Sequence, residues 1–86
     1  MTQIEAVKEI IAGAVENETL YKKTLRSTIG VHNPGTRGAL VCQAAEQSGR
    51  MQGYINSLCL LAKGGLIPEE IAPSVLELLA ERTPHA

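Results

Sequence analysis

Four cations, Lys22, Lys23, Arg26 and Arg37, fall in a stretch from Leu20 to Ala45 that holds no aspartate or glutamate. They are half of the 8 Lys and Arg of the chain, and all 9 acidic residues lie outside the stretch. Ammonium and guanidinium groups gathered without counter-charges suit an anionic partner, whether a phosphate, a carboxylate or an acidic protein surface. The same stretch contains Gly35-Thr36-Arg37-Gly38, a hydroxyl and a guanidinium between small residues, read as part of a turn, Asn33 to Gly38, that feeds a long helix. In an antiparallel hairpin Arg26, His32 and Arg37 would meet at the tip, with Lys22 and Lys23 one turn further back. Free amides at the start of the second helix would add anion donors. Tyr21 stands beside Lys22, placed either to pack in a core or to stack on a base. The candidate binding residues are therefore Tyr21, Lys22, Lys23, Arg26, His32, Thr36 and Arg37.

Other chemistries find little support. The glycine spacing lacks the G-x-x-x-x-G-K-[ST] pattern of a triphosphate loop and the preceding strand of a dinucleotide site. His32 and His85 are the two histidines, and no carboxylate or cysteine stands at a spacing that suggests a triad or a metal cage. No catalytic residue, metal ligand or cofactor is assigned, and the chain reads as a non-enzyme. Cys42 and Cys59 lie on one expected helix, roughly 25 Å apart at about 1.5 Å per residue. That is far beyond the ~7 Å a disulfide spans, so both are expected as free thiols, packed as small hydrophobes.

The elements that would position the basic stretch are helices. Aromatic residues make up 2% of the chain, with no Phe or Trp, against 44% hydrophobic residues, a composition that suits packed helices better than a sheet. Thr2 and Glu5 form a capping-box pattern. Ile4, Val7, Ile11, Ala14, Glu18, Tyr21, Leu25 and Thr28 then follow at spacings of three and four, predicting a helix over 3–29. Asn17 marks a place where it could bend. Gly30 suits a helix stop. Val41, Ala44, Ser48, Met51, Ile55, Leu58 and Ala62 give the second helix its seam, over about 36–63, closed by Gly64-Gly65. Pro68, Glu69 and Glu70 suggest a third start, with the regular part from Ala72 or Pro73 to about Arg82 and Ile71, Val75, Leu78 and Leu79 facing inward.

On another face of the second helix Ala45, Gly49, Gly53 and Ser57 recur every four residues. Glycine inside a helix costs about 1 kcal/mol relative to alanine, so the row predicts either a close helix contact or a kink. Tyr54 beside it suits an interface anchor. With a single domain of 86 residues burying only about 60 to 65% of its unfolded surface, the expected oligomer interface is Ala45, Gly49, Gly53, Tyr54 and Ser57.

The expected fold is all-α, a long antiparallel helical hairpin plus a short C-terminal helix, self-associated as a dimer or higher oligomer. Net charge is −1, so nothing global draws the chain to nucleic acid or to a membrane. A DNA-reading helix-turn-helix is rejected because Pro34, Gly35 and Gly38 fall where the recognition helix should be regular. Free thiols, with neither a basic start nor an apolar export segment, predict a cytoplasmic protein. The chain resembles, in size and character, the small helical inhibitors that phages carry against host defence or regulation. That likeness implies an inhibitor or adaptor of a protein partner and assigns no residue. The alternative is an oligomer that sequesters a nucleotide or other small anion at the basic tip.

Overall fold

The three helices are set by their ends as much as by their seams. In the computed structural model, which describes residues 2–82, α1 runs Gln3–Ser27, α2 runs Pro34–Lys63 and α3 runs Ala72–Arg82, with no strand among the described residues. Thr2 caps α1 by accepting the Glu5 amide on its Oγ1 at 3.1 Å, one half of the expected capping box. Asn17 does not break the helix. It is buried, and its Nδ2 donates to the Gly13 carbonyl at 2.8 Å, one turn back. Placed this way, the side chain meets its hydrogen-bonding need within the helix instead of competing with the backbone. The helix ends two residues short of Ile29: Thr28 caps it, and Gly30 takes the left-handed turn at φ 81°.

The second helix begins earlier than its glycines suggest. Asn33 is the cap and Pro34 the first helical residue, where a missing N–H costs nothing and a fixed φ helps. Gly35, Thr36, Arg37 and Gly38, expected as a turn, form the first helical turns. At the other end the Leu66 amide reaches the Leu61 carbonyl at 2.9 Å and the Gly65 amide reaches that of Ala62 at 3.1 Å. This paired closure needs a left-handed residue, supplied by Gly65 at φ 68°.

Contacts fix the direction of packing. Gln3 donates through its side-chain amide to the Leu66 carbonyl, and ten residues on, Gly13 lies under the ring of Tyr54. Progress along α1 is matched by retreat along α2, so the two are antiparallel and packed lengthwise. α3 lies in the groove between them. Its start, Ala72 and Val75, lies beside Ala62 and Gly65, and its end, Glu81, beside Glu18, Tyr21 and Met51. The core gathers at that end of the molecule: Val7, Ala14, Ile55, Leu58, Ile71, Val75 and Leu78, with Ile11, Met51 and Leu79 packed against them.

At about 1.5 Å per residue, the 11 residues of α3 cover roughly 16 Å of a hairpin whose longer helix has 30 residues and spans about 45 Å. Among the described residues, the tip half of the hairpin therefore has two layers of side chains instead of three. Between the helices there, the buried residues are small or polar: Asn17, Thr24, Ala44 and Gln47. The radius of gyration is 15.5 Å, against about 12 Å for a compact chain of this length. No helix among the described residues is long and apolar enough to cross a membrane.

Candidate functional site

The basic stretch forms the tip of the hairpin, with Lys22, Lys23 and Arg26 on the last turns of α1, His32 in the connection, and Thr36 and Arg37 on the first turn of α2. All six are exposed. Lys22 is drawn to Glu18, its Nζ 3.1 Å from Oε1 across one turn, a surface pair worth at most some tenths of a kcal/mol. The topology brings these cations to one end of the molecule, as the sequence predicts.

The backbone part of the expected anion site is already filled. Asn33 Oδ1 accepts from the Gly35 amide at 2.9 Å and from the Thr36 amide at 3.1 Å. The Arg37 amide donates to the Asn33 carbonyl at 2.9 Å, and Pro34 has no N–H. The amides that attract anions at open helix starts are thus satisfied from within, leaving guanidinium, ammonium, imidazole and hydroxyl groups as the donors of the tip.

Tyr21 is half-buried and belongs to a different feature, a trough of about 500 Å³ that it lines with Leu25, Val41, Ala44, Ala45, Ser48, Gly49 and Gln52. The trough continues the groove occupied by α3 into the half that α3 does not reach. Leu25 is 39% exposed and Val41 52% exposed, although both stand on the expected seams. Those seams are sound as faces, but the described residues of α3 do not extend over them. At the α3 end the trough meets a smaller hollow of about 350 Å³ lined by Glu18, Tyr21, Lys22, Met51 and Glu81, where both signs of charge are present.

Among the described residues, the glycine row takes no close contact within the chain. Nothing lies within 4 Å of a Cβ placed on Gly49 or Gly53, and Ala45 and Ser57 are exposed. Ser57 turns its Oγ back to the Gly53 carbonyl at 3.0 Å. The close approach instead falls on Gly13, where a Cβ would stand 2.6 Å from the Tyr54 ring. Tyr54 thus packs its ring inside its own chain while remaining 37% exposed. Gly13 was missed because one glycine, absent any repeat, gives no periodic signal. Cys42 is exposed and Cys59 half-buried, both free. Cys42 therefore departs from the expected buried packing because it sits on the outer side of α2, away from α1. His85 lies outside the described residues. Among the described residues, no group of three His, Cys, Asp or Glu side chains could hold a metal ion.

No protein-family model, curated protein or solved structure matches the chain. The functional reading therefore rests on the tip and the trough. Pro34, Gly35 and Gly38 do not disturb α2, contrary to the expectation on which a helix-turn-helix was rejected. What the fold lacks is the crossing geometry, because α1 and α2 run antiparallel along their length and do not meet at the steep angle that frees a recognition helix.

Proposed function

We propose that this chain is a small non-enzymatic binding protein, an inhibitor or adaptor that self-associates and engages an acidic protein partner through the outer side of its hairpin tip. The observation that carries the reading is the combination of exposed cations with a sealed helix start. Asn33 occupies the amides that would grip a small anion, while Lys23, Arg26 and His32 stand open to solvent. A convex, water-exposed set of cations suits a broad acidic surface, where many weak contacts steer association. A nucleotide or other small anion at the same tip is the weaker reading. The hollow beside Lys22 also contains Glu18 and Glu81, which repel such a ligand.

Self-association draws on the exposed small residues of α2, on the uncovered trough and on a radius larger than a compact monomer needs. The function is tested by Lys23→Glu with Arg26→Glu. Both side chains are exposed, so the helical spectrum and melting temperature should stay nearly unchanged. Capture of an acidic protein by the wild type should fall at least tenfold in the double variant, and should weaken as salt is raised from 50 to 300 mM. Capture that is indifferent to both changes would reduce the tip to a solvated cap. Calorimetric titration with nucleotides separates the two readings, since heat of binding there supports the small-anion alternative.

A further inference from the structure

We infer that the tip half of the hairpin, residues 15–50, opens as a unit of its own while the half that carries α3 stays folded. The division is set by where apolar burial stops. Among the described residues, the hydrophobic core draws on 4–14 and on 51–79, and on nothing between them. In that core Leu58 and Val75 are fully enclosed, and all three helices contribute.

The contact between α1 and α2 over 15–50 is of another kind. Its buried residues are Asn17, Thr24, Ala44 and Gln47, of which Ala44 alone is apolar. Tyr21, Val31 and Leu40 are half-buried there. Asn17 turns its amide back to the Gly13 carbonyl of its own helix, and Gln47 Oε1 has no partner among the described residues. Closing the hairpin therefore strips water from that acceptor without replacing it, and opening restores the water. Once parted, the arms have little to keep them helical. Gly35, Gly38 and Gly49 lower the propensity of the α2 arm, and Asn17, Thr19 and Thr24 that of the α1 arm. A lone helix of about 12 to 15 residues is marginal in water even for good formers.

The opening bears on recognition because the cations of the tip ride on both arms. Lys23 and Arg26 belong to α1 and Arg37 to α2, so their spacing is fixed only while the arms are together. An acidic surface that touches both arms selects the closed state and holds it, whereas one that touches a single arm leaves the equilibrium alone. Few buried apolar contacts and low-propensity arms are the features that place a segment at the low-stability end of a structure.

Native-state hydrogen exchange on the full chain, read amide by amide at one dilute concentration over low urea, tests this. Amides of 17–25 and 38–48 should share one opening, with protection at least about thirtyfold below that of 55–61 and 75–79, and with a urea dependence weaker than theirs but not zero. Val75→Ala truncates a contact that is present whether or not the tip is open. It should lower protection of the α3 half by at least about tenfold and leave the tip half unchanged. Ile55→Val, a gentler truncation in the same core, replaces it if that variant does not fold. Gln47→Met acts on a group that both openings expose, so it should raise protection in both halves by the same factor, about fivefold. Equal losses in the two halves with Val75→Ala would show one cooperative unit and overturn the inference. Protection that declines smoothly toward Ile29 without any urea dependence is end fraying, and overturns it as well.

Discussion

Gly13→Ala sets two physical rules against each other. Helix propensity favours alanine by about 1 kcal/mol, and Gly13 lies in the middle of α1 with no unusual backbone angle, so local preference alone predicts stabilisation. Packing predicts the reverse. The new methyl would stand 2.6 Å from Tyr54 Cζ and 2.8 Å from Cε1 and Cε2, well inside the ~3.5 Å at which carbon atoms attract. The ring must move away. Tyr54 is 37% exposed, so solvent is open to it, and displacement uncovers roughly 100 Å² at about 25 cal/mol per Å², or about 2.5 kcal/mol. The net effect is about 1.5 kcal/mol of destabilisation, a fall in Tm of roughly 6 to 12 °C for a domain of this size. In a Tyr54→Ala background the obstacle is gone, and the same substitution should stabilise by about 1 kcal/mol. The measurement is a double-mutant cycle by urea unfolding, followed by circular dichroism at one fixed protein concentration, because the proposed self-association would make apparent stability concentration-dependent. Equal stabilisation by Gly13→Ala in both backgrounds would show that the ring does not rest on Gly13.

Gln47 is buried between the helices, and its Oε1 has no hydrogen-bond partner among the described residues. Gln47→Met keeps the volume and removes the orphaned acceptor, so unfolding in urea should show a gain of about 1 kcal/mol; a loss of that size would mean that the amide is satisfied in solution. The two thiols should also differ. Brief treatment of the native protein with iodoacetamide, read by intact mass, should label Cys42 first, because it is exposed and Cys59 is half-buried. Both should label once the chain is unfolded, and preferential labelling of Cys59 would contradict the packing of α2.

Much of the fold was legible in the sequence because helix ends and seams are written in local residue types. Thr2, Gly30, Gly64-Gly65 and the Ile71-Val75-Leu78 spacing each specify a local geometry, and the structure places α3 at Ala72–Arg82 with those three residues buried. Pro34 was misread because proline signals both the end of one element and the first residue of the next. Asn33 in front of it, a good cap, decides between the two. The α1 seam was only half right. Beyond Ala14 the residues facing α2 are Asn17 and Thr24, polar side chains that a hydrophobic pattern passes over, while Leu25 points into the trough. At the site, the clustering of cations could be read from composition along the chain. The sealing of the amides by Asn33 could not, because the same residue is compatible with either an open or a capped start.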